Sequence, residues 1–141
     1  MKKMISIAVA ALLLPVAAFA APPNMEPGLW EQAMTMGAHS FTNKECVTPD
    51  MVKDGPESLL NHRDEMAGNC KSSGNWSGNV YRFKVDCSAP EQGGTVSTTG
   101  TMTYESPRRM LQVVESTTTI EGAKQSMTMK VDHKRIGDCP K

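Results

Sequence analysis

The chain has 141 residues, with 15 Lys and Arg side chains against 15 Asp and Glu side chains. This length suits a single domain. The formal net charge is zero, and 21% of the residues are charged. That composition excludes a strongly basic surface able to hold nucleic acid by counterion release, so we expect no nucleic-acid partner.

The first 20 residues have the pattern of a secretory signal peptide. Lys2 and Lys3 precede an apolar segment, and a small-x-small sequence ends at Ala20, where we expect cleavage. The apolar segment is short and contains Pro15, so it does not suit a membrane span. We expect no transmembrane segment after cleavage, and a bacterial periplasmic location.

The mature chain should consist of a short leader and one domain. Residues 21–27 contain three prolines and should form an extended leader. Residues 28–141 contain no repeat and no long linker, so they should form one domain. Apolar side chains are sparse in this domain, and cross-links should therefore contribute to its stability.

Four cysteines supply those cross-links: Cys46, Cys70, Cys87 and Cys139. An even number of cysteines in an exported chain favours two disulfides, and no CxxC spacing indicates a redox site or a zinc ribbon. If Gly78 and Asn79 form a two-residue hairpin loop, Cys70 faces Cys87 directly. This favours Cys70–Cys87 and Cys46–Cys139. A slipped register would instead favour Cys46–Cys70 and Cys87–Cys139.

Period-2 alternation predicts a mainly β fold: a curved antiparallel sheet or partly open barrel of about six strands in a meander. Two strands flank the Gly78-Asn79 turn, within 70–77 and 80–87. The other predicted strands are 29–37, 95–104, 110–120 and 125–136. Alternation places Tyr81 and Phe83 on the inner face, and it places Met127, Met129 and His133 on one face of the last strand.

One segment is predicted to be helical. Thr48, Pro49 and Asp50 supply an N-cap, a proline at the first helical position and an acid in the first turn. Gly55-Pro56 should interrupt this helix, and residues 57–60 can form a second turn. We therefore expect one short broken helix near 48–61, lying across an end or a face of the sheet.

Four sequence motifs follow one another in order: Pro27-Gly28-Leu29-Trp30-Glu31, Cys46-Val47-Thr48-Pro49, Gly100-Thr101-Met102-Thr103-Tyr104 and Arg135-Ile136-Gly137-Asp138-Cys139-Pro140. Together they resemble the bacterial family called domain of unknown function 3617. The resemblance covers essentially the whole mature chain. It implies a small exported domain with a cysteine framework, and it implies no activity.

No motif for catalysis is present. His39, His62 and His133 form no HxxxH or HExxH pattern, and no GxSxG elbow occurs. We expect these histidines to be surface or strand residues, and we expect a non-enzymatic protein with no cofactor and no catalytic residue.

Two small-ligand hypotheses use the methionine-rich strands. In the first, the sheet encloses an apolar small molecule or lipid, because flexible thioethers tolerate varied ligand shapes. Its candidate lining residues are Trp30, Met34, Met36, Tyr81, Phe83, Met102, Tyr104, Met127 and Met129. In the second, thioethers bind Cu(I), a soft ion that they suit. This alternative metal site comprises Met34, Met36, Met127, Met129 and His133.

A third hypothesis is an interaction module that binds an envelope protein through an exposed strand edge. The polar sequence Ser97-Thr98-Thr99 gives it little support, because threonine-rich strands usually form solvated faces.

Overall fold

The structure, a computed structural model, describes residues 24–55, 69–89 and 93–141. The predicted signal peptide and the predicted second helical turn lie outside these residues. The described residues form seven strands and one short helix, in the order β1 Gly28–Met36, β2 His39–Val47, α1 Pro49–Val52, β3 Cys70–Ser77, β4 Val80–Ala89, β5 Gly94–Ser106, β6 Arg109–Ile120 and β7 Ala123–Gly137.

All seven strands belong to one antiparallel sheet with the order β2-β1-β7-β6-β5-β4-β3. Strands β3 to β7 form a meander, and the β1–β2 hairpin pairs with β7 through β1. Strands β2 and β3 are the two edges, so the sheet is not closed into a barrel. The mainly β, meandering fold predicted from the sequence is confirmed.

Strand β2 is the element that the sequence did not predict. Its residues show no apolar alternation, and all except Val47 are exposed. It forms because the tight turn at Gly37, with φ of 59°, leads it back along β1. The two strands then pair over their whole length, from Gly28 opposite Val47 to Met36 opposite His39. Backbone pairing with β1, and not burial of apolar side chains, therefore makes this segment a strand.

The strand register brings the large apolar side chains to one face of the sheet. Directly opposed residues of neighbouring strands share a face. The main core cluster on this inner face consists of Tyr81, Phe83, Val85, Met102, Tyr104 and Met110. The opposite face is polar and includes Lys84 and Asp86, which form an ion pair of 2.8 Å.

Close packing within the core requires Gly100. This residue lies opposite Phe83 in the β4–β5 register. A Cβ atom at residue 100 would overlap the Phe83 ring. The glycine therefore lets the ring lie flat across β5, where it is 6% exposed.

Two disulfides cross-link the sheet, Cys46–Cys139 and Cys70–Cys87, and no described cysteine is free. These are the pairs that the hairpin register favours. Ser77 lies opposite Val80, and Cys70 lies opposite Cys87 with a Cα–Cα distance of 4.0 Å. The Cys70–Cys87 bridge packs against the core on the inner face. Disulfides of this kind are compatible with an exported protein.

The Cys46–Cys139 bridge should contribute more stability than Cys70–Cys87, because it closes a loop of 93 residues rather than 17. Chain entropy gives about 4.6 and about 3 kcal/mol for these loops. The test compares urea unfolding of C70A/C87A and C46A/C139A, each with and without reductant. Reductant breaks only the remaining bridge, so residue identity is constant within each comparison. C70A/C87A should lose more stability, and an equal or smaller loss would contradict this account.

Candidate ligand cavity

The inner face contains a cavity of about 410 Å³. Residues from six strands, all except β4, line this cavity, and residues 51–55 in and after α1 cover one side. The sheet therefore curves around the space. A cavity of this size lies within the range of about 300 to 1,000 Å³ typical of small-molecule sites.

Most of the cavity wall is apolar. Trp30, at 1% exposure, is the most deeply buried of the lining side chains. Trp76 contacts Tyr104, with 5.4 Å between the ring centroids. The complete apolar lining among the described residues is Met25, Trp30, Val47, Met51, Val52, Gly55, Trp76, Met102, Tyr104 and Met110.

A polar corner interrupts this wall where β2, β1 and β7 adjoin. Gln32 lies opposite His133 in the β1–β7 register, and its Nε2 donates to Glu45 Oε2 on β2 at 3.0 Å. On the other side, His133 Nε2 lies 3.1 Å from Gln112 Oε1, which accepts a hydrogen bond from the ring. The corner thus offers a carboxylate, an amide and an imidazole to the cavity.

Burial lowers the pKa of the His133 imidazole below its ordinary value, because the charged form is poorly solvated there. The carboxylates of Asp132 and Glu45 oppose this shift but do not reverse it. His133 is therefore neutral near pH 7.

The predicted lining residues are on one face but do not form one site. Trp30, Met102 and Tyr104 line the cavity. Tyr81 and Phe83 belong to the packed core beneath it. The remaining predicted residues share the inner face by register without contributing to the described lining: Met34, Met36, Met127 and Met129.

The proposed copper ligands are only partly brought together. Strands β1 and β7 are neighbours, and Met36 lies directly opposite Met129. His133 lies four residues from Met129 along β7, about 13 Å at the usual rise of a strand. Its ring is held by Gln112 in the cavity corner. The structure therefore separates His133 from the methionine pair.

The helix and the strand edges also differ in part from expectation. Helix α1 starts where predicted, with Thr48 at the N-cap and Pro49 in its first turn, but the Thr48 side chain makes no capping hydrogen bond. Instead, the Met51 amide donates to the Thr48 carbonyl at 3.1 Å.

The Ser97-Thr98-Thr99 sequence lies in β5, between β4 and β6, and not at an edge.

The N-terminal and C-terminal sequence motifs meet beside the cavity, a contact that the sequence did not reveal. Arg135 Nε donates to the Pro27 carbonyl at 2.8 Å, and its Nη2 donates to Asp138 at 2.6 Å. Trp30 Nε1 donates to the Glu26 carbonyl at 3.0 Å. These bonds fix the segment before β1, which places Met25 against the core.

Gly28 makes this arrangement possible. Its φ of 146° is unfavourable for other residues, and a Cβ atom there would overlap the Gly137 carbonyl and the Arg135 guanidinium. The side chain of Arg135 can therefore lie across β1, where it is only 15% exposed.

The structure thus places the protein in a class of disulfide-linked, open antiparallel sheets with an apolar cavity on the inner face. The family model of DUF3617, described as a protein of unknown function, matches residues 25–139. The chain belongs to this family. Comparisons with curated proteins and with solved structures found no match.

Two structural features are absent from the described residues. No helix in the described part of the chain is long and apolar enough to cross a membrane. Residues 24–55, 69–89 and 93–141 also contain no group of three or more His, Cys, Asp or Glu side chains arranged to hold a metal ion.

Replacing Gly28 with alanine should destabilise the fold by about 1 to 3 kcal/mol, because the new methyl group displaces Arg135 or the Gly137 carbonyl. Gly137→Ala is the matched control, since no atom lies near its added Cβ. Urea unfolding followed by tryptophan fluorescence measures both variants. Equal stability of G28A and G137A would refute the proposed role of Gly28.

The low pKa of His133 makes stability depend on pH. Below the ordinary imidazole pKa of about 6.5, His133 binds a proton more readily in the unfolded chain than in the folded protein. The free energy of unfolding should therefore fall as the pH decreases from about 7.5 to about 5.5. His133→Gln should reduce this decrease in urea titrations, because it removes the imidazole whose pKa is lowered by burial. An unchanged pH dependence in H133Q would contradict the assignment.

Proposed function

We propose that this chain is a non-enzymatic binding protein of the bacterial periplasm that holds an amphipathic small molecule or lipid. The ligand lies between the inner face of the sheet and α1. The observation that supports this most directly is the cavity of about 410 Å³, lined by aromatic and thioether side chains. A space of this size and character is typical of small-molecule sites.

The lining favours a particular ligand chemistry. Four methionine side chains of the lining are flexible and can adjust to the alkyl chain or ring system of a ligand: Met25, Met51, Met102 and Met110. At the polar corner, the Glu45 carboxylate and the neutral His133 favour a hydrogen-bond donor or a cation over an anion. Lys53 also lies at the cavity but forms an ion pair with Asp50 at 3.5 Å. The proposed ligand has an apolar body and a neutral or cationic polar group.

The proposed role of the lining is binding. Glu45, Tyr104 and His133 belong to side-chain types that also act in catalysis, and the proposal gives them no chemical step. His133 is already hydrogen-bonded to Gln112. Its role in this proposal is to orient the polar group of the ligand.

The proposed location rests on the sequence of the first 20 residues, which has the pattern of a signal peptide, and on the two disulfides. Such cross-links persist in oxidising compartments, of which the bacterial periplasm is one. N-terminal sequencing of material exported by a bacterial host tests this directly. The expected mature protein begins at Ala21, and retention of residues 1–20 would contradict the proposal.

Binding is tested with N-phenyl-1-naphthylamine, a neutral apolar dye whose fluorescence rises on transfer from water. Protein purified without detergent should give a saturable rise. Val52→Trp places a large ring in the cavity and should weaken dye binding by about 10-fold or more, since it excludes apolar contacts worth about 1.4 kcal/mol or more.

Val113→Trp is the matched control for the inner-face cavity, because Val113 is 37% exposed on the opposite face, where it lines a separate space of about 420 Å³. It should bind the dye as the wild type does. Native mass spectrometry of the same detergent-free protein then identifies any co-purified ligand by its mass. Equal dye binding by V52W and V113W would reject the cavity as the binding site.

A further inference from the structure

A second group of chemically distinctive side chains lies away from the cavity, at the hairpin end of β1. His39 on β2 is directly opposite Met36 on β1, and Met36 is directly opposite Met129 on β7. The three residues therefore form one row across three adjacent strands. Directly opposed residues share a face, with Cβ atoms about 4.5 to 5.5 Å apart. We call this row the His-Met row.

Two further methionines flank the row on the same face. Met34 is two residues before Met36 on β1, and Met127 is two residues before Met129 on β7. Because the strands are antiparallel, one lies on each side of the row. Four thioethers and one imidazole are thus collected at one end of the inner face.

These methionines lie outside the core cluster. Met102 and Met110 fill the core and are 5% and 6% exposed, whereas Met127 is 51% exposed. Met36 and Met129 are half-buried and His39 is exposed. None of these three belongs to the core cluster or lines the cavity. Their side chains remain accessible from solvent.

We propose that Met36, Met129 and His39 form a binding site for Cu(I), with Met34 and Met127 as neighbouring thioethers. Thioethers are soft ligands that favour Cu(I), and imidazole also suits copper. Two sulfur atoms and one nitrogen atom provide three neutral ligands. The lysines nearest in sequence to Met129 and Met36, such as Lys130, are on the opposite face by register. The row therefore presents no cation to repel the metal.

The cysteines do not compete with this site. All four cysteines are joined in disulfides, so no thiolate is present. The imidazole that serves the site is His39 and not His133, which is held in the cavity corner by Gln112. This makes the metal site independent of the proposed apolar cavity, and each can fail without the other.

Titration of the mature, oxidised protein with Ag(I) tests the site, because this ion shares the charge and softness of Cu(I) without its redox chemistry. In methyl and imidazole NMR spectra, saturable shifts should occur at Met36, Met129 and His39, while the buried Met102 and Met110 stay unchanged. Shifts confined to other residues, or the absence of a saturable shift, would overturn the proposal.

Calorimetric titration of variants provides the second measurement. Met36→Leu/Met129→Leu keeps side-chain volume and removes both sulfur atoms. Its Ag(I) affinity should fall by about 100-fold or more, since even outer-shell changes cost about 10- to 100-fold. H39Q should also bind more weakly. Met51→Leu and H133Q are matched controls that should retain wild-type affinity. If M36L/M129L bound as tightly as M51L, the site would be rejected.

Discussion

The pairing of β1 with β7 is the constraint on which the rest of the structure depends. It joins the first strand of the domain to the last, and it places Trp30 beside the core that β4, β5 and β6 contribute. Backbone hydrogen bonds alone do not maintain it. The Arg135 side chain connects Pro27 to Asp138, and Cys46–Cys139 bridges the strand beyond β1 to the segment beyond β7. Without this junction, the five-strand meander would lack one wall of its cavity.

One register then gives two different environments on a single sheet face. Near the start of β1, residues of six strands and α1 surround a mainly apolar space with a neutral imidazole in its corner. Near the end of β1, the same face carries Met36 and Met129 with more exposure and no covering element among the described residues. About 13 Å of β7 separates His133 from Met129. Burial at one end suits an apolar ligand, and accessible soft ligands at the other suit a metal ion.

Much of this sheet follows from local sequence, and the exceptions have physical causes. Gly78-Asn79 determined the β3–β4 register, so the position of Cys70 opposite Cys87 could be predicted by counting. Strand β2 could not be predicted, because an edge strand needs no buried face and its polar side chains show no period-2 alternation. Because the sequence does not predict β2, it also does not predict that Glu45 lies in the cavity wall or that His39 lies opposite Met36. The contact of Arg135 with Pro27 spans 108 residues, and no local pattern encodes it.

The two disulfides are nested, because the loop closed by Cys46 and Cys139 contains Cys70 and Cys87. One cut in the peptide backbone anywhere between these outer cysteines leaves two fragments that are still covalently joined. Strand pairing across the cut can then keep both pieces in place. Limited proteolysis and dissociation are therefore separate events in this molecule, and a nicked form would migrate as one species until reductant is added.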